Sequence, residues 1–129
     1  MKTFFKILMS LILLFLLIFV GGIFYLSRGL NEVMSISLNG IDISKLDDGK
    51  YTGEYDHGRW TNKLDITVKN NKITEILIKD DVTFSKPSVS DELFNKVIET
   101  QSTKIDAISG ATVTSKAYLK SIENVLNKK

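Results

Sequence analysis

The chain has 129 residues, a length typical of one modest domain, and its 17 Lys and Arg side chains nearly balance 15 Asp and Glu. No basic patch stands out, so nucleic-acid binding has little support. The sequence holds no cysteine and one histidine, which excludes disulfides, thiolate metal sites, a lipidated cysteine anchor and a metal centre built from several histidines.

The N-terminal segment is almost entirely apolar. Residues 7–25 carry no charge, and this length is close to the ~20 residues that a helix needs to cross a membrane. Lys2 and Lys6 precede the apolar run, so the positive-inside tendency predicts a cytoplasmic N-terminus and an extracytoplasmic domain. We therefore expect a single-pass anchor in the cell membrane over residues 1–26. A cleaved signal peptide and a buried helix of a soluble protein stay open as alternatives.

The rest of the chain has the mixed composition of a water-soluble domain. Residues 27–40 are interpreted as a juxtamembrane stalk, and residues 41–129 as the domain itself. Alternating apolar residues between positions 36 and 43 suggest that part of this region pairs as a strand. A turn near Asp48 precedes a further short strand. Gly53 interrupts that strand, which indicates either a bulge or the close approach of another group to the backbone.

The next segment, residues 63–80, has the pattern of a β-hairpin. Apolar and polar residues alternate along the first strand, and Asn70 and Asn71 suit a tight turn before the return strand. A short strand or loop follows and ends at the only proline, Pro87.

Two helices are predicted to close the chain. Ser88 or Ser90 is expected to cap the first, and the second covers about residues 114–126, with Lys128 and Lys129 at its C-terminal end. Strands followed by helices predict an α+β fold. We expect a small antiparallel sheet with two helices packed on it, preceded by one N-terminal transmembrane helix.

Residues 106–115, with the sequence DAISGATVTS, place small and hydroxyl-bearing side chains where the last helix begins. Helix N-termini offer unpaired N–H groups and a partial positive charge, which together bind phosphate. Gly110 and Ala111 let a ligand approach the backbone. The residues alone thus suggest an anion site, with a redundant helix cap as the alternative. Their spacing matches neither the Gly-rich phosphate loop nor the dinucleotide fingerprint.

The same stretch closely resembles the flavinylation motif of the FMN-binding domain family. That family includes the flavin-carrying C subunit of the sodium-pumping NADH:quinone oxidoreductase and its counterpart in Rnf-type complexes. Residues 48–53 are similar to the opening motif of the family, residues 66–76 to its central hairpin, and residues 97–115 to its C-terminal signature.

The resemblance implies that FMN is held covalently, through a phosphoester to the threonine that ends Ser-Gly-Ala-Thr, which is Thr112 here. A separate flavin transferase makes this bond outside the cytoplasm in the family, and Asp106 matches the acidic start of its recognition motif. The other implied or expected cofactor-binding residues are Ser109, Gly110, Ala111, Val113, Thr114 and Ser115 near the phosphate, with Tyr51 and Gly53 at the flavin ring. Further candidates are His57 and Trp60 for the ring and Lys116 for the phosphate.

These expectations favour a membrane-anchored electron carrier over an enzyme in its own right. The flavin supplies the redox chemistry, so no side chain needs to act as a catalytic acid or base. The expected partners are the membrane, the flavin transferase, and redox donor and acceptor proteins or a quinone. The alternatives are a flavoprotein subunit of an ion-pumping electron-transport complex and an anchored binding domain without flavin.

Overall fold

A computed structural model describes residues 1–127, so Lys128 and Lys129, the predicted end of the domain, lie outside the described residues. Two short 3-10 turns, Ile43–Lys45 and Gly58–Trp60, lie between the longer elements. Those longer elements are α1 (Lys2–Ser27), α2 (Leu30–Met34), β1 (Gly49–Tyr55), β2 (Asn62–Lys69), β3 (Lys72–Asp80), α3 (Pro87–Thr100) and α4 (Thr112–Asn127).

The three strands form one antiparallel sheet in the order β1-β2-β3. Asn70 and Asn71 both have positive φ, 54° and 63°, as a tight hairpin turn between β2 and β3 requires. The α+β prediction and the predicted hairpin are therefore confirmed.

Helix α4 packs on one face of the sheet. Leu64 and Ile66 of β2 are buried on that face, as are Leu119 and Ile122 of α4. Gly53 allows this packing, because a Cβ atom there would lie 2.0 Å from the carbonyl oxygen of Ser121. The strand is regular at Gly53, which pairs with Leu64. The close approach that the sequence suggested is thus made by α4, and β1 has no bulge at Gly53.

The apolar N-terminal segment forms α1, a helix long and apolar enough to span a membrane, with no buried residue. The region predicted as a stalk is not a strand: it contains α2, whose Val33 is fully buried. The turn before α2 touches the domain as well. A Cβ atom on Gly58 would lie 2.3 Å from the carbonyl oxygen of Arg28. The domain therefore begins to pack within a few residues of the end of α1.

The two closing helices begin earlier than the sequence suggested. Helix α3 starts at Pro87, a residue that suits the first helical position because it has no N–H to leave unpaired. Neither predicted serine caps α3, and the Ser90 hydroxyl donates to the Pro87 carbonyl instead. Helix α4 starts at Thr112, two residues before the predicted start, so the end of the small-residue motif is helical.

Candidate functional site

A cleft of about 490 Å³ lies beside the start of α4. Four parts of the chain meet there: the motif loop with the first turn of α4, the 3-10 turn after β1, the loop between β3 and α3, and the start of α2. The lining residues are Leu30, Arg59, Trp60, Phe84, Lys86, Gly110, Ala111, Thr112, Val113 and Thr114.

Backbone hydrogen bonds join the motif loop to α4. The Ala111 N–H donates to the Ile108 carbonyl, and the Ser115 N–H donates to the Ala111 carbonyl, both at 2.9 Å. The second of these is the first i→i−4 bond of α4, so the N–H groups of residues 112–114 precede the helical ladder. All three of those residues line the cleft. Their amides can therefore bind an anion.

The hydroxyl groups of the motif have different surroundings. Thr112 and Ser109 are exposed, whereas Thr114 is half-buried. Ser115 is fully buried, and its Oγ accepts a hydrogen bond of 3.1 Å from the Ile108 N–H. Both the N–H and the hydroxyl of Ser115 are thus used within the protein. The expected contact of Ser115 with the cofactor is not supported, because this residue fastens the loop to the helix.

Replacing Ser115 with alanine should destabilise the protein by about 1–3 kcal/mol, because the buried Ile108 N–H loses its acceptor. Urea denaturation of the full chain in detergent micelles, followed by Trp60 fluorescence, measures the change. The control is Ser109→Ala, which alters an exposed hydroxyl and should stay within about 0.5 kcal/mol of the wild type. Equal stability of the two variants would contradict the assigned role of Ser115.

The 3-10 turn Gly58–Trp60 supplies the opposite wall of the cleft. The Arg59 guanidinium carbon lies 4.2 Å from the centre of the Trp60 ring and 5.5 Å from that of Phe84. Trp60 is only 3% exposed, so it forms a rigid support for the cation. The Arg59 Nε atom is buried and has no hydrogen-bond partner within residues 1–127.

The loop between β3 and α3 carries the third wall, and hydrogen bonds hold it at both sides. The Thr83 N–H donates to the Arg59 carbonyl at 2.9 Å, and the Tyr118 hydroxyl of α4 donates to the Asp81 carboxylate. Burial, and secondly this hydrogen bond, raise the pKa of Tyr118 far above its usual range, so the hydroxyl stays a donor at physiological pH. The loop is thereby positioned to present Phe84, 58% exposed, and Lys86 to the cleft.

The electrostatic character of the cleft follows from its lining. Arg59 and Lys86 are cationic, and within the described part of the chain no carboxylate lines the cleft. The backbone N–H groups at the start of α4, which make no i→i−4 hydrogen bond, add partial positive charge. An aromatic surface and a positive potential thus occur together, an arrangement suited to a planar, negatively charged ligand.

The sequence matches the model of the FMN-binding domain over residues 58–127, more than half of the chain. The chain belongs to the FMN-binding domain family. The matched range includes every residue that lines the cleft except Leu30. A comparison with curated proteins finds no match to this chain.

The lining of the cleft fits the cofactor for which the FMN-binding domain is named. FMN carries a planar aromatic ring system at one end and a phosphate at the other. The start of α4 offers free amides for a phosphate, while the exposed ring of Phe84 offers aromatic surface. The unpartnered, buried Nε of Arg59 is a donor that a ligand could satisfy. The residues present therefore fit FMN.

Several residues predicted for the FMN site do meet at the cleft. Asp106 and Ser109 are exposed on the motif loop but do not line the cleft. Gly110 gives this loop its turn, with a left-handed φ of 78°. The predicted residues that line the cleft are Gly110, Ala111, Thr112, Val113, Thr114 and Trp60.

Other predicted residues are not brought to the cleft. Gly53 lies beneath α4, as described above, and the Tyr51 hydroxyl donates to the Asp47 carbonyl at 2.7 Å. The His57 ring lies 4.9 Å from the ring of Tyr55. The Lys116 ammonium donates to the Met34 carbonyl at 3.0 Å, on α2. None of these side chains lines the cleft.

Sequence reasoning missed four lining residues of this FMN-binding domain. Arg59 had a signal, because it precedes a tryptophan that was itself a candidate. Phe84 and Lys86 lie in a loop without periodicity, and Leu30 lies in the presumed stalk, so only the folded chain brings them to the cleft.

Proposed function

We propose that this protein is a membrane-anchored, extracytoplasmic electron carrier with FMN bound covalently to Thr112. The observation that carries this proposal is the position of Thr112 at the first residue of α4, exposed at a cationic cleft in a domain of the FMN-binding family. The flavin supplies the redox chemistry, and the protein supplies attachment, orientation and electrostatics.

The surroundings of Thr112 support its role as the attachment residue. Its side chain is exposed, and no group within residues 1–127 hydrogen-bonds its hydroxyl, so a flavin transferase can reach that oxygen. A phosphoester there keeps a negative charge beside the free amides of residues 112–114 and near Lys86. The covalent bond prevents loss of the cofactor to a medium that contains no FMN.

The proposed location rests on α1 and its flanking charges. The helix is long and apolar enough to cross a membrane. Lys2 and Lys6 at its start favour a cytoplasmic N-terminus, which leaves the domain on the opposite side. In this orientation the cofactor exchanges electrons between a donor in the membrane and an extracytoplasmic acceptor. The partners are redox proteins or a quinone.

Replacing Thr112 with valine should abolish covalent flavinylation, because valine keeps the shape of the side chain but has no oxygen to esterify. The full chain is expressed together with a flavin transferase and then denatured. Flavin fluorescence on the protein band, and an intact mass raised by one FMN less one water, report the bond. The wild type should show both signals and Thr112→Val neither.

Two controls separate the parts of this proposal. Thr112→Ser retains a hydroxyl at the same position and should still accept FMN, whereas Thr114→Val alters the neighbouring threonine of the cleft and should leave the bond intact. Flavin bound covalently to Thr112→Val would show that the attachment residue is wrong. A colourless wild type would refute the covalent flavoprotein itself.

A further inference from the structure

Arg59 is the feature of the cleft that attachment of FMN to Thr112 leaves unexplained. Its guanidinium is held against Trp60, with the carbon 4.2 Å from the ring centre, and Phe84 lies at 5.5 Å. Its Nε is buried without a hydrogen-bond partner, and none of the ion pairs within residues 1–127 includes Arg59. Arg59 as a whole is half-buried, but a buried N–H without an acceptor is costly, so the arrangement suits an acceptor from outside the chain.

The two cations of the cleft lie on different sides of it. Lys86 also lines a smaller cavity at the start of α4, together with Phe84, Val89, Gly110, Ala111 and Thr114. Arg59 instead lines a cavity on the side of α1, together with Tyr25, Leu26, Arg28, Gly58 and Thr83. Thr112 lines the main cleft only, but its neighbours Gly110, Ala111 and Thr114 share the cavity of Lys86 and none of them lines the cavity of Arg59. Arg59 thus lies at the end of the cleft away from the motif loop, beside the exposed ring of Phe84, on which a planar ligand can pack.

We propose that Arg59 binds the pyrimidine edge of the isoalloxazine ring and stabilises the negative charge that this edge gains on reduction. The inference rests on the proposed function, because it takes FMN to be attached at Thr112. Two electrons from the membrane donor and one proton from water convert the neutral ring into a reduced ring with one negative charge at N1 and the C2 carbonyl. A guanidinium presents neighbouring N–H donors in a fixed plane, which match these two adjacent acceptors.

Contacts with Trp60 and Phe84 fix the orientation of the Arg59 guanidinium. The guanidinium is held over the Trp60 ring, so its donors are directed before the flavin is reduced. Because the cation favours the anionic reduced ring over the neutral oxidised ring, it raises the reduction potential and lowers the pKa of the reduced ring at N1.

The test is a redox titration of the full chain, covalently flavinylated and in detergent micelles, over a range of pH. Arg59→Met should weaken the preference for the anionic reduced ring about tenfold, which lowers the midpoint potential by about 30 mV for a two-electron couple. The pH at which proton uptake changes from two to one per electron pair should rise by about one unit. Arg59→Lys retains the charge and should recover part of both shifts. Lys69→Met, the matched control, removes an exposed cation at the end of β2, away from the cleft, and should change neither.

If no flavin becomes attached, the proposed function is refuted. A second measurement still tests the inference about Arg59 in that case. Riboflavin, which has no phosphate, is titrated into the unloaded Thr112→Val chain, with quenching of Trp60, the only tryptophan, as the signal. Arg59→Met should weaken this binding several-fold and Lys69→Met should not. Unchanged potentials and pH dependence in folded Arg59→Met would overturn the proposal, as would equal effects of the two substitutions. Without attached flavin, failure of riboflavin to distinguish the two substitutions would overturn it as well.

Discussion

Replacing Gly53 with alanine is expected to destabilise the domain by about 3 kcal/mol, the upper end of the range for overpacking a well-packed core. The new Cβ atom would lie 2.0 Å from the Ser121 carbonyl oxygen and 3.0 Å from a methyl of Val125. The closest atom belongs to helix backbone, which cannot rotate away as a side chain can. Helix α4 must therefore move off the sheet, and Thr112 at its start must move with it. Urea denaturation of the full chain in detergent micelles, followed by Trp60 fluorescence, measures the loss.

The matched control is Gly22→Ala, the same chemical change at a position in α1 with nothing within 4 Å. It should leave the unfolding of the domain unchanged. If Gly53→Ala is as stable as this control, α4 does not pack as closely on β1 as described. A destabilised Gly53→Ala that still accepts flavin at the wild-type level would show that the start of α4 tolerates this movement.

Replacing Gly58 with alanine should release the turn between α1 and α2. The added Cβ atom would lie 2.3 Å from the Arg28 carbonyl oxygen, and the φ of 56° at Gly58 adds the cost of a left-handed conformation, about 1 kcal/mol. We expect amide hydrogen exchange in residues 28–33 to become at least tenfold faster, because the contact that holds them is lost. Exchange measured by mass spectrometry on the full chain in micelles tests this.

Gly40→Ala is the control that separates strain from collision. Gly40 also has a left-handed φ, 79°, but an added Cβ atom would meet only the flexible Lys104 side chain at 3.4 Å. This control should share the backbone cost of about 1 kcal/mol without faster exchange in residues 28–33. Equal exchange in the two variants would mean that Gly58 and Arg28 are not in contact.

Local patterns predicted the hairpin and the α+β fold because alternation and turn residues act within a few positions of one another. Asn70 and Asn71 could be placed at the hairpin tip for this reason. The partner of Gly53 could not be predicted, because a glycine in a strand indicates close approach without indicating what approaches. The start of α4 was placed too late, since hydroxyl-rich residues are typical of caps and not of first turns.

The candidate site was predictable only where it coincides with a continuous motif. Residues 110–114 come together because they are neighbours in sequence. Arg59 and Phe84 face these residues because two hydrogen bonds hold the loops in place. The Thr83 N–H donates to the Arg59 carbonyl, and the Tyr118 hydroxyl donates to the Asp81 carboxylate. Those contacts join positions far apart in the chain, and no local periodicity encodes them. The resemblance named the cofactor, whereas the walls of its cleft needed the tertiary structure.

The packed turn after α1 has a consequence for the reach of the cofactor. Only Arg28 and Gly29 separate α1 from α2, and Gly29 lies against the His57 backbone while Leu30 already lines the cleft. A connection of two residues cannot let the domain move between distant partners, as a long flexible linker can. With α1 across a bilayer, the flavin would sit at one fixed height above the lipid headgroups. If the protein carries electrons as proposed, its partners would therefore have to approach the cleft, because the cleft stays at this height.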